Sequence, residues 1–365
     1  MTGITLLAAV LALGFPAAVK AENCMSKLTL ASWSVRRRAA QLIVAPVEER
    51  EPLAAQRLVG EGIGGLLLFG SHAPPVLPAE LARLRAHAQA DGRLAPLIMT
   101  DEEGGEIQRV ANLVGNLPWP REIAKTTTTA QVRALAKKVG RRMRAAGVTM
   151  DLAPVLDLSD SAGPDAKHPD GPRSFSVSRF VAGAYGVAFA RGLLAGGVIP
   201  VVKHFPGLGQ ASYNTDFGRA SDPPLSVLER SSLLPFKAAI STHLPAVMVG
   251  HVSVPGLTGR LPASLSSAAV TGLLRNKLGF HGLVLTDSLS AAAIADAGYS
   301  VERAAPLAIA AGDDMVLFDA TNPTTTANAV IASIAVAVAG GEVPRSRLNE
   351  AVAHVLTAKG ITMCP

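Results

Sequence analysis

Aromatic residues make up only 4% of this 365-residue chain, so leucine, valine and alanine must fill its interior. Charge is sparse too, at 17% against 49% apolar residues, which is ample for a large core. The net charge of +6 is thinly spread, and no dense Lys/Arg run carries interleaved aromatics. That pattern argues against a dedicated nucleic-acid-binding module. A mildly basic surface is instead drawn weakly to anionic polymers.

Several chemical signatures are also missing. No Gly-x-Gly-x-x-Gly follows a strand-like run, which weakens a dinucleotide-binding fold. Gly-x-Ser-x-Gly and His-Glu-x-x-His are absent, and no Cys/His cluster has zinc spacing. Neither a serine-hydrolase elbow nor a metal site is expected, and no cofactor is implied. Apolar runs of the ~20 residues that span a membrane are lacking. Residues 4–19 form a shorter apolar run ahead of Val19-Lys20-Ala21, a small-residue cleavage site. Residues 1–21 therefore read as a signal peptide. The remainder, 22–365, reads as one domain exported to the periplasm, cell envelope or extracellular space.

What is present is a steady alternation of strand and helix. Apolar runs at 42–47, 64–70, 97–100, 148–158, 198–202, 246–250, 283–286 and 315–318 read as buried strands. Around them, helical stretches are expected at 35–40, 78–90, 129–146, 179–195, 225–240, 266–278, 301–310, 326–339 and 348–359. A Thr-rich cap opens the third of these, and Ser288 or Ser290 is placed to cap an Ala-rich helix after 286. Short links and no composition break predict an α/β fold, a single (β/α)8 TIM-like barrel.

Only two cysteines occur, Cys24 and Cys364, at opposite ends of the chain. In an exported protein such a pair reads as a disulfide, and barrel closure would bring first and last elements together. Unrelated thiols, or a lipidated Cys24, are the alternatives.

Polar residues recur at the C-terminal tips of these strands: Asp101, Asp157, Lys203 with His204, His251 and Asp287. Singly, Asp287 could cap a helix and His251 could be a core histidine. Together, in a barrel, they would share one mouth. Carboxylates set among cations and imidazoles suit glycoside hydrolysis, which needs one carboxyl as acid and another as nucleophile or base.

The segment 101–109, Asp-Glu-Glu-Gly-Gly-Glu-Ile-Gln-Arg, resembles the Asp-x-Glu-Gly-Gly-x-Val-x-Arg motif of family 3 glycoside hydrolases. The likeness is greatest to the β-N-acetylhexosaminidase branch that trims peptidoglycan. Lys203-His204-Phe205-Pro206-Gly207-Leu208-Gly209 matches that branch's Lys-His-Phe-Pro-Gly-x-Gly. Residues 280–289 are similar to its nucleophile strand, and Gly171-Pro172-Arg173-Ser174-Phe175 to its Arg-Ser-Phe/Tyr loop. The resemblance spans nearly the whole chain after residue 30.

It implies a barrel without the second domain of the larger β-glucosidases, and a retaining exo-acting enzyme on terminal β-linked GlcNAc of muropeptides or related glycans. It makes Asp287 the nucleophile and Asp101, Arg109, Arg173, Lys203 and His204 sugar-binding residues; His251 is a candidate for the mouth from its strand-tip position alone. The glycan substrate is the one partner implied, and a monomer is expected. The branch's Asp-Ser-His acid/base element does not carry over. Here Asn214-Thr215-Asp216 stands in its place, leaving Asp216 as the candidate acid. A β-glucosidase-like specificity, or a glycan-binding protein with impaired catalysis, are the alternatives.

Overall fold

The computed structural model describes residues 24–364; the expected signal peptide, 1–21, lies outside them. Strands β1 (Ile43–Glu48), β2 (Gly65–Phe69), β3 (Leu97–Thr100), β4 (Met150–Asp151), β5 (Ile199–Phe205), β6 (Ala246–Val249), β7 (Leu283–Ser288) and β8 (Met315–Leu317) close into one barrel. Every neighbouring pair is parallel. The register runs, for example, from Leu283 opposite Ala246 to Thr286 opposite Val249, and Val316 beside Ile43 shuts the ring. Parallel strands covered on both faces need no polar side, which is why each reads as an unbroken apolar run. Ile43, Val44, Ala45, Leu66 and Leu68 are wholly buried.

Helices cover the barrel, and their ends follow local chemistry. Thr129–Ala146 starts in a capping box between Thr128 and Gln131 and stops at left-handed Gly147. Four elements differ from the sequence expectation. The strand foreseen over 148–158 pairs regularly only at Met150–Asp151. Pro154 has no N–H for the ladder, so the chain follows β5 through scattered bonds such as Val201 N–H to the Ala153 carbonyl, 3.1 Å. The helix expected over 225–240 is two, Leu225–Leu228 and Leu233–Ser241, because Pro235 fits a first turn but not an interior. The helix Ala268–Lys277 is wound more widely than an α-helix. Neither Ser288 nor Ser290 caps the helix Ala292–Asp296; Ser290 Oγ donates to the Asp319 carbonyl instead, at 2.6 Å.

The chain ends meet. Cys24–Met25 pairs in parallel with Thr362–Met363, and Cys24 and Cys364 form a disulfide across 340 residues of sequence. Among the described residues no helix is long and apolar enough to cross a membrane.

Candidate active site

The strand tips open into one pocket of about 250 Å3, whose lining includes Asp101, Arg109, Arg173, Lys203, His204, Asp216 and Asp287. Seven residues singled out from sequence are thus brought together. A larger hollow of about 440 Å3 adjoins it at Phe69, but its lining holds Glu48, Glu51 and Asp319 with no cation. The smaller pocket is where opposite charges converge.

Its floor is an ion-pair relay. Lys203, 3% exposed at the end of β5, donates to Asp101 Oδ1 at 2.6 Å and lies 2.7 Å from Glu103 Oε1. Arg173 grips both oxygens of Glu103, Nε at 2.8 Å and a terminal nitrogen at 2.9 Å, a two-point match of planar groups. Burial alone would raise the Glu103 pKa, but Arg173 and Lys203 outweigh it and hold the carboxyl well below the usual range. Burial opposes the charges on Lys203 and Arg173 in turn, yet the carboxylates keep both firmly protonated. Each cation is therefore fixed before any ligand arrives.

Glu103 reaches this relay because of a tight hairpin after β3, Glu102–Gly104 paired with Ile107–Gln108. Successive side chains alternate in direction. Glu102 turns inward to accept the backbone N–H groups of Arg109 and Val110, both at 3.0 Å, while Glu103 faces the cations. The turn itself needs glycine: at Gly105, with φ +60°, a Cβ would fall 2.0 Å from the Trp119 ring. Arg109 leaves the hairpin to donate to the Gly70 carbonyl, 3.3 Å, beside the Phe69 ring.

His204 is anchored from beneath. Asp157, completely buried, accepts its Nδ1–H at 2.7 Å and its backbone N–H at 3.1 Å, and takes Leu208 N–H at 2.7 Å. Burial would lower the imidazole pKa, but the Asp157 charge prevails and raises it.

Two carboxyls face the same space, and their surroundings push them in opposite directions. Asp287, half-buried near the tip of β7, accepts Ser288 N–H at 2.8 Å. Burial would raise its pKa, yet His204, His251, the Ser288 N–H and Lys203 together bring it below the carboxylate norm. Asp216, on the rim, goes the other way: partial burial raises it first and the Asp287 charge second. Environments that push two neighbouring carboxyls in opposite directions are the arrangement from which an acid and a nucleophile can be drawn.

Asn214 does not act on this pair chemically. Its Oδ1 accepts Asp216 N–H at 3.0 Å and its Nδ2 donates to the Asp165 carbonyl at 3.2 Å, holding the loop in place. His251 stands apart from the pocket lining. It is buried, with Nδ1 against Ser264 Oγ and Nε2 against the Ser288 carbonyl, both at 2.8 Å. Burial lowers its pKa, and with both ring nitrogens engaged it packs behind Asp287 and does not line the open mouth. Glu103 and Asp157 were visible in sequence only as a motif letter and a strand tip. The alternation of a hairpin after β3 is the one signal that separates Glu103 from Glu102.

Comparison with known proteins places this geometry. The model of the glycosyl hydrolase family 3 N-terminal domain matches residues 34–358. The beta-hexosaminidase LpqI of Mycobacterium tuberculosis is 38% identical over 338 residues, covering 90% of this chain and 83% of that one. The solved structure of M. tuberculosis LpqI has a TM-score of 0.82 at 37% identity, covering 94% of this chain and 98% of its own. A β-N-acetylhexosaminidase structure from Beutenbergia cavernae DSM 12333 has a TM-score of 0.81 at 29% identity, covering 90% and 99%.

Proposed function

The chain belongs to glycosyl hydrolase family 3 and is a β-N-acetylhexosaminidase, and from that premise we propose that it removes terminal β-linked GlcNAc with retention, through a covalent glycosyl-enzyme on Asp287. The observation that supports this most is the shared pocket of Asp287 and Asp216, rimmed by basic groups already fixed by Asp101, Glu103 and Asp157. Asp101, Arg109, Arg173, Lys203 and His204 hold the terminal sugar. A carboxylate oxygen of Asp287 attacks the anomeric carbon while Asp216 gives its proton to the departing glycosidic oxygen. Asp216, now a carboxylate, then takes a proton from water, which attacks the same carbon and frees Asp287.

The natural substrate in this reading is a cell-wall muropeptide or related GlcNAc-ended glycan. Residues 1–21 serve as an export signal and 22–365 as the catalytic domain. Export is supported by the Cys24–Cys364 disulfide, which persists in oxidising compartments. A monomer is the state proposed for the chain.

Initial rates on p-nitrophenyl β-GlcNAc and p-nitrophenyl β-glucoside test the specificity. The GlcNAc substrate should turn over with the higher kcat/KM. Preference for the glucoside would overturn the N-acetyl assignment.

A further inference from the structure

Under the sugar pocket lies a cluster whose carboxylates the hydrolytic reaction does not use, set against the sugar-binding His204. Asp157, Asp170 and His204, all buried, present ligand atoms within 4.8 Å of one another. Asp157 is amply bonded, to the imidazole and to two backbone N–H groups. Asp170 is not. It is 0% exposed, and neither carboxylate oxygen has a hydrogen-bond partner among the described residues. Asp222, 4% exposed, repeats the pattern, with both oxygens unpartnered and its charge opposed by Asp157 and Asp170. Arg173, the neighbouring guanidinium, is already committed to Glu103 and to the Pro169 carbonyl.

A buried carboxylate without a partner is among the costliest things a fold can contain, unless a proton or a cation completes it. Here Asp170 lies against a bonded Asp–His pair, and Asp222 is near enough to feel the charges of Asp157 and Asp170. The donors are hard oxygens plus one imidazole nitrogen. That mixture suits zinc, manganese or a similar first-row ion, whereas calcium and magnesium take oxygen alone. Donors on opposite sides of one ion stand ~4–5 Å apart, in keeping with the spread observed.

We propose that Asp157, Asp170 and His204 form a divalent transition-metal site beneath the sugar pocket, with Asp222 as its outer carboxylate. The ion would compete for the imidazole that the proposed function assigns to the sugar. Metal and glycan would therefore weaken each other's binding by the same factor. The site itself stands on the cluster; only this antagonism rests on the hydrolase reading.

The test is calorimetric titration of the chelator-treated full chain with ZnCl2 and, separately, MnCl2. One equivalent should bind, and Asp170→Asn and Asp222→Asn should each weaken binding, the former at least roughly tenfold. X-ray absorption of the zinc-loaded wild type should show an imidazole nitrogen among carboxylate oxygens, a readout that needs no variant to fold. Absence of stoichiometric binding would overturn the proposal, as would equal affinity in Asp170→Asn or a coordination shell without imidazole. In that case Asp170 is a protonated carboxylic acid. Metal binding without any change in KM for the aryl β-GlcNAc would retain the site and remove the antagonism.

Discussion

At Asp287 burial and charge pull in opposite directions, and charge prevails; at Asp216 burial and the Asp287 charge outweigh the lowering pull of His204, Arg173 and His251. Catalysis through this pair needs Asp287 ionised and Asp216 protonated. The acid limb of kcat/KM should therefore fall below the ordinary aspartate range, ~3.9, and the alkaline limb should lie above it. Asp216→Ala should erase the alkaline limb. It should also slow substrates with poor leaving groups by ~10²–10⁴, and activated aryl glycosides far less, since these depart with little protonation. Equal losses on both substrate types would remove Asp216 as the acid. That this residue could be singled out from sequence came from the failure of a motif at 210–216. The state of its carboxyl could not, because it depends on Asp287 lying across the pocket.

Among the elements, the hairpin after β3 carries the most consequence. It turns three consecutive acids to three tasks: Asp101 to Lys203, Glu102 to the hairpin's own backbone, and Glu103 to both cations. Glu103→Gln would leave Lys203 and Arg173 partly uncompensated in a buried setting, at roughly 3–5 kcal/mol. Chemical denaturation of the variant at pH 7 should show that loss. The depressed carboxyl of Glu103 also sets the sign of the pH effect. Its contribution is full above the unfolded value, ~4.3, and disappears as pH falls through the lower folded value, so the gap between wild type and variant should narrow in acid. A gap that widened in acid would contradict the assignment. Strand order and helix spans were legible because apolar runs and capping residues are local signals. The short β4, the split of the 225–240 helix and the inward turn of His251 were not, since each depends on Pro placement or on a partner far along the chain.

For the whole molecule, closing the barrel brings residues 24–25 beside 362–363, and a disulfide joins them. Neither cysteine lines the sugar pocket. Replacing both by serine should therefore lower stability by roughly 2–5 kcal/mol while leaving kcat at 25 °C unchanged. A thermal-unfolding scan with and without reductant checks the first half, and a loss of kcat at 25 °C would contradict the second. The barrel and its mouth were readable from eight apolar runs, five of them ending in polar residues, whereas the orphan carboxylates Asp170 and Asp222 carried no pattern in the sequence at all. The most direct test of the catalytic assignment is mass spectrometry of Asp216→Ala quenched during turnover of an activated aryl β-GlcNAc. Without a base to activate water, the glycosyl-enzyme should accumulate, and peptide mapping should place one GlcNAc residue on Asp287. An adduct on any other residue, or turnover that passes through none, would contradict it.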